Sequence, residues 1–214
     1  LSGRARDPLD ELMAAARAIL GRAPGPADRQ RFQQYLDLFL YWNRTHRMTA
    51  LDTPAAVVRE LFADSLLFLP LLPASRPLAV VDIGAGAGIP GLPLRLADPA
   101  IGLTLVESRR KRVSFLRAVR RELGLEDVVV EEGRAERLVE ESPRLAGAFD
   151  AAVARAVGPP ETLFRTALKY LKTGGVFVAS AAPRPVAQGP LEVAQVPVPW
   201  ARATRAFLRG TKES

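Results

Sequence analysis

The residues best suited to chemistry lie in one stretch, Leu78-Ala79-Val80-Val81-Asp82-Ile83-Gly84-Ala85-Gly86-Ala87-Gly88-Ile89-Pro90-Gly91. An ionisable side chain, Asp82, interrupts an apolar run just ahead of alternating glycines. A bare carboxylate on a buried strand is costly unless it meets hydrogen-bond donors or a cation. The glycines let the backbone turn tightly and come close to a ligand. Gly86-Ala87-Gly88-Ile89-Pro90-Gly91 also satisfies G-x-G-x-x-G, and Glu107 follows at about the distance of a ribose-binding acid. That pattern alone suits a dinucleotide, but a dinucleotide brings phosphates that Asp82 would repel. S-adenosylmethionine (SAM) brings an α-ammonium and a sulfonium, so Asp-x-Gly-x-Gly-x-Gly favours SAM. The alternative is that Asp82 only ties down the glycine loop, and the two roles are compatible.

Further candidates follow other apolar runs. Glu107 closes the run 101–106, where a carboxylate can accept both ribose hydroxyls; the alternative is a cap for the helix after it. Ala135-Glu136 come after the run 128–131, where an adenine ring would meet a backbone N–H; Glu136 is alternatively a solvated acid. Arg155 ends the run 149–154, beside the space a methyl acceptor must enter, and suits a phosphate or carboxylate. The alternative for Arg155 is an ion pair with Asp150 or Glu161. Ser65, Ser108 and Ser180 have no histidine that the sequence places near them, so no nucleophile–base pair is evident. Methyl transfer to a ring nitrogen needs none. It needs in-line placement, which is catalysis by proximity and orientation.

These residues require a particular scaffold. The stretch 78–91 and the amphipathic segment 92–97 read as strand, turn and helix, the first unit of a doubly wound sheet with its ligand at the strands' carboxyl ends. Strands are expected at 101–106, 128–131, 149–154 and 176–180, with helices at 110–123 and 161–171. A turn at 173–175 is expected before the fifth strand, and 193–198 and 204–208 read as a final antiparallel pair. Ahead of the sheet, 8–21, 27–43 and 54–69 read as helices, joined by a polar, basic segment 44–48. Their aromatic stripe, Phe32, Tyr35, Phe39 and Trp42, is expected as core packing. Asp64-Ser65 could reach over the pocket, though such residues in a helix are usually on the surface. The expected fold is α/β: a Rossmann-like class I SAM-dependent methyltransferase fold with a mostly parallel sheet, terminal antiparallel strands and an N-terminal helical cap. Residues 1–73 form the cap and 74–214 the SAM-binding domain.

Composition bounds the partners. The 214 residues suffice for one domain and an appendage. Cysteine is absent, which excludes disulfides and thiol nucleophiles, and the single histidine, His46, leaves little room for histidine chemistry. No metal is expected. No apolar run approaches the ~20 residues of a membrane span, and the N-terminus lacks the apolar core of a secretion signal. A cytoplasmic protein without membrane contact is therefore expected. The net charge is +7 and the pI about 10.5, carried by arginine, because only Lys111, Lys169, Lys172 and Lys212 are lysine. That balance suits a polyanion and phosphate forks; a GC-rich coding genome produces the same bias.

Several motifs occur in order: Trp42-Asn43, Met48-Thr49-Ala50, Asp64-Ser65-Leu66, Asp82 to Gly91, Lys111 to Leu116, Arg134-Ala135-Glu136, Phe149-Asp150 and Ala154-Arg155-Ala156. From about Phe32 to Phe177 the chain resembles the RsmG (GidB) family of bacterial ribosomal RNA methyltransferases. The resemblance implies SAM-dependent methyl transfer to N7 of a guanine in 16S ribosomal RNA. It implies SAM contacts at Gly84, Ile89, Ala135, Glu136 and Arg155, with Glu107 at the ribose. With Asp82, Gly86 and Gly88 these make the candidate cofactor set. No residue is expected to act as acid or base, and Arg155 is the acceptor-side candidate. The expected partner is 16S rRNA or the small ribosomal subunit, and the expected state a monomer. Three positions depart from the family pattern: Arg47 in a usual Asn-Leu-Thr, Leu61 where a histidine commonly stands, and Ser180-Ala181 in place of Lys-Gly. Arg184 is a candidate substitute for that lysine. These departures leave room for a different acceptor, or for a decayed site that binds SAM or RNA without turnover.

Overall fold

The computed structural model describes residues 7–22, 24–156, 158–181, 185–187 and 189–213; Arg184 lies outside them. Seven strands are present among the described residues: β1 (Leu78–Ile83), β2 (Ile101–Glu107), β3 (Val129–Glu132), β4 (Phe149–Ala154), β5 (Leu171–Ser180), β6 (Glu192–Pro197) and β7 (Thr204–Thr211). They form one sheet in the order β3-β2-β1-β4-β5-β7-β6. The first five are parallel, and β7 runs antiparallel to both β5 and β6. This is the Rossmann-like α/β methyltransferase fold. The final antiparallel pair is present as expected, with β7 inserted beside β5 and β6 left at the edge. The reason is burial: Ala206, Phe207 and Leu208 of β7 are covered, whereas β6 exposes Glu192, Gln195 and Pro197, residues suited to an edge.

The helices are α1 (Pro8–Leu20), α2 (Pro26–His46), α3 (Pro54–Val57), α4 (Asp64–Leu66), α5 (Gly91–Ala97), α6 (Arg110–Glu122), α7 (Ala135–Glu141) and α8 (Pro160–Tyr170). Alternation along β1 assigns them to two layers. Leu78 and Val80 join the core shared with α1, α2, α5 and α6, while Val81 and Ile83 join the core of α7 and α8. The N-terminal helices therefore share a core with one face of the sheet. Proline opens both α1 and α2, and the side chain of Asp7 accepts from the N–H of Leu9 at 2.9 Å.

Four expectations need correction. Arg44 to His46 form the last turn of α2, and the joint begins at Arg47, in the left-handed region at φ 46°. The segment 54–69 is not one α-helix: a π-helix, Val58–Ala63, lies between α3 and α4. The carbonyl of Glu60, within this π-helix, accepts from Arg155. β5 begins at Leu171, so the 173–175 turn residues lie inside an irregular strand, whose Gly174 N–H is taken by the carbonyl of Lys212. Seven-residue α7 was missed because it is too short to show a helical period.

Candidate active site

The carboxyl ends of β1, β2 and β4 open on a cavity of about 410 Å³. Gly84, Gly86, Ile89, Glu107, Arg134 and Arg155 line it, and Phe39, Met48, Thr49 and Leu61 form its opposite wall. Glu107 is the one acid of this lining, against Arg109, Arg112, Arg134 and Arg155.

Glu107 is 4% exposed. Its Oε2 accepts from the N–H of Gly86 at 2.9 Å and its Oε1 from the N–H of Arg109, the N-cap of α6, at 2.8 Å. Arg112 Nη1 stands 3.8 Å from Oε2. The carboxylate thus holds the glycine loop and the start of α6 together. Each oxygen keeps lone-pair capacity for a further donor from the cavity.

Asp82 is fully buried, faces the α2 side of the sheet with Val80, and is absent from the described cavity wall. Its Oδ2 accepts from the N–H of Gly91 at 2.8 Å, and its Oδ1 has no partner among the described residues. Burial pushes its pKa up to about 7; the Gly91 hydrogen bond opposes the rise, and the negative charge of Glu107 adds to it. A Cβ at Gly91 would stand 2.7 Å from Asp82 Oδ2, so only glycine allows this closure. Gly88 also lies off the described wall. It has φ 83°, and its Cβ would meet Leu92 Cδ1 at 2.2 Å, so packing demands glycine there.

Tyr35 completes the fastening of the loop. Its hydroxyl donates to the carbonyl of Ala87 at 2.6 Å, and burial, then the charge of Asp82, raises its pKa well above the ordinary phenol value. This hydrogen bond goes beyond the core packing expected of the aromatic stripe. The available signal was a tyrosine within a stripe of phenylalanines, since a buried hydroxyl needs a partner.

Ala135 and Glu136 line an adjoining cavity of about 140 Å³, which shares Gly84, Ser108 and Arg134 with the first. The hydroxyl of Tyr170, on α8, donates to the carbonyl of Ala135 at 2.7 Å and fixes this turn. The candidate residues Gly84, Gly86, Ile89, Glu107, Ala135, Glu136 and Arg155 therefore surround two neighbouring hollows, with Asp82 and Gly88 behind the loop.

Arg155 takes neither partner expected of it. Its Nη1 lies 3.1 Å from Asp64 Oδ2, and its Nη2 donates to the carbonyl of Glu60 at 2.7 Å. Asp150 instead receives Lys172 Nζ at 2.7 Å and the N–H of Ala79 at 2.8 Å. Burial lowers the pKa of Arg155; Asp64 opposes the shift, and Arg205 adds to it. Asp64 and Ser65 are buried, correcting the expectation of surface residues. The hydroxyl of Ser65 donates back to the carbonyl of Leu61 at 2.6 Å.

Asn43, of the Trp42-Asn43 motif, is also buried. It donates from Nδ2 to the carbonyl of Leu51 and accepts at Oδ1 from the N–H of Thr49, both at 2.9 Å. These bonds hold the segment that presents Met48 and Thr49 to the cavity. Among the departing positions, Leu61 lines the cavity, while Ser180 pairs with Phe207 in the sheet and lines a further hollow that shares Ala156 with the cavity. Arg47 joins His46, Arg109, Arg110, Lys111 and Arg112 around a basic hollow of about 270 Å³ that adjoins the cavity. The first turn of α6 carries no acid, so the helix dipole adds to this positive potential. Chemically, the arrangement offers a carboxylate at one end, a guanidinium at the other, and a cationic rim.

The family model described as rRNA small subunit methyltransferase G (GidB) matches residues 28–188. Ribosomal RNA small subunit methyltransferase G of Dictyoglomus thermophilum is 35% identical over 158 residues, 74% of this chain and 65% of that protein. The protein of the same description from Alkaliphilus metalliredigens is 38% identical over 155 residues, 72% of this chain and 64% of that one. The matched segments thus span just under two thirds of these relatives' lengths. Among solved structures, a SAM dependent methyltransferase from Aquifex aeolicus aligns with a TM-score of 0.55 at 15% identity, covering 77% of this chain and 96% of that one. At that identity the likeness is one of fold.

Proposed function

Because the chain belongs to the rRNA small subunit methyltransferase G (GidB) family, we propose that it transfers a methyl group from SAM to N7 of a guanine in 16S ribosomal RNA. The observation that carries the reading is Glu107, a buried carboxylate at the cavity wall that takes Gly86 N–H and keeps acceptor capacity toward the cavity. That donor and acceptor set fits SAM. Bound there, SAM supplies an electrophilic methyl on a sulfonium. Glu107 accepts the ribose hydroxyls, and Gly84, Gly86 and Ile89 let the backbone approach closely. The turn at Ala135-Glu136, fixed by Tyr170, meets the adenine. Asp82 keeps the loop closed. Arg155 stands on the acceptor side.

A guanine N7 lone pair needs no base, so these residues act by binding and orienting. The rim of Arg47, Arg109, Arg110, Lys111 and Arg112 supports an RNA partner, which it would hold through phosphates. The segment before residue 74 supplies the acceptor-side wall, through Phe39 on α2, Met48 and Thr49 in the joint after it, and Leu61 in the π-helix, in keeping with a cap (1–73) on a SAM-binding domain (74–214). Among the described residues, no helix is long and apolar enough to cross a membrane. A monomer acting in the cytoplasm on 16S rRNA or the small ribosomal subunit is the reading we adopt.

The test is transfer from labelled SAM to small subunits of a strain lacking its own enzyme of this family, with nucleosides identified by mass spectrometry. The expected product is 7-methylguanosine, lost in Arg155→Ala. SAM binding by calorimetry without any transfer would overturn the reading. The apolar Leu61 on the cavity wall favours one second reading, in which the same SAM site serves another acceptor.

A further inference from the structure

Three charged side chains meet at the acceptor-side wall, and two of them have no role in the reading above. Asp64 Oδ2 lies 3.1 Å from Arg155 Nη1, while Asp64 Oδ1 receives Nε of Arg205 at 2.7 Å and its Nη2 at 2.5 Å. The side chain of Asp64 is 8% exposed and that of Arg155 19%, whereas Arg205, on β7, is 48% exposed. Two guanidinia share one carboxylate, and the charge of Glu60 also acts on Arg155. Arg155 Nη1 is buried and has no aligned hydrogen bond among the described residues, although the residue lines the cavity.

The division of the carboxylate matters. A free aspartate facing an arginine favours a two-pronged pair that occupies a whole guanidinium edge. Here Arg205 takes one oxygen, and Arg155 is left with the other and with the carbonyl of Glu60. We propose that Asp64 and Arg205 are positioning residues for Arg155: Arg205 holds Asp64 in a shared geometry that keeps the Arg155 guanidinium set at the cavity wall. The proposal rests on the methyl-transfer reading for what Arg155 does, and on geometry for how it is held. Such presetting speeds a reaction whose main requirement is orientation.

Arg205 is the variant to make, because its half-exposed side chain can be removed with less risk to folding than Asp64. Arg205→Ala is expected to lower kcat for methylation of small subunits about tenfold, with SAM affinity changed by no more than about twofold. Arg205→Lys, which can still occupy Oδ1, restores most of the rate. In Arg155→Ala, adding Arg205→Ala costs nothing further. A wild-type rate in Arg205→Ala, or an equal loss whether or not Arg155 is present, overturns the proposal. If the wild type binds SAM yet methylates no subunit, the methyl-transfer reading has failed, and NMR decides the positioning claim. A slowly exchanging Arg155 Nε–H that becomes fast in Arg205→Ala supports it, and unchanged exchange overturns it.

Discussion

The carboxylate of Asp82 accepts its one hydrogen bond from the N–H of Gly91, 2.8 Å from Oδ2, where a side chain on residue 91 would stand 2.7 Å from the same oxygen. This contact closes the glycine loop onto the first turn of α5. It also leaves Oδ1 buried without a donor among the described residues, and the native state carries that cost when Asp82 is ionised.

The sign of the resulting pH dependence follows. Native Asp82 titrates at about 7 against an ordinary 3.8, so between those values the native state holds the extra proton. Below about pH 4 both states are protonated and Asp82 makes no difference. As pH rises toward 7 the unfolded chain ionises first, and stability falls; above 7 the loss levels off, at a few kcal/mol on an order-of-magnitude basis. Urea unfolding of wild type and Asp82→Asn from pH 4 to 8 checks this. The variant is expected to lack that fall, and parallel curves would reject the assignment.

Glu107 carries two backbone hydrogen bonds and the proposed ribose contact. Glu107→Gln places an amide N–H₂ against one of those backbone donors and removes an acceptor. SAM affinity measured by calorimetry is expected to fall about tenfold or more. Unchanged affinity would remove Glu107 from the cofactor site.

Asn43→Ala leaves the carbonyl of Leu51 and the N–H of Thr49 without their side-chain partner. A loss of about 1–3 kcal/mol in stability is expected. Released, Met48 and Thr49 no longer form a fixed wall, so KM for the ribosomal substrate rises more than the Kd for SAM. An equal rise in both would mean that the effect is general loosening.

Methylation of the ribosomal substrate is expected to weaken steeply with added salt, while SAM affinity stays nearly flat. Lys111→Ala, on the basic rim, should weaken binding across RNA sequences and reduce the logarithmic salt slope by about 1. A flat salt response in the wild type favours a small acceptor over RNA.

Much of the scaffold was legible in residue order. An apolar run broken by Gly84, Gly86 and Gly88 can only turn where it does, because those residues adopt positive φ. Glu107 and Arg155 were found because each follows an apolar strand, and the carboxyl ends of parallel strands face one side. The π-helix at Val58–Ala63 was not legible, since its apolar pattern is that of an ordinary helix. Nor was the inner position of β7, because period-2 alternation shows which face of a strand is buried and not which neighbour it pairs with.

The sequence by itself determined the glycine loop, most of the alternation of strands and helices, and which residues end at the carboxyl edge of the sheet, since these follow from local backbone preferences and periodic burial. Only the tertiary structure decided how the charges pair. Arg205 meets Asp64 across 141 residues and Arg155 shares that carboxylate, while Arg155 also reaches the backbone carbonyl of Glu60 across 95 and Tyr35 that of Ala87 across 52. A guanidinium or hydroxyl carries no record of its partner in the residues beside it; the partner is whichever acceptor the packed layers bring within about 3 Å.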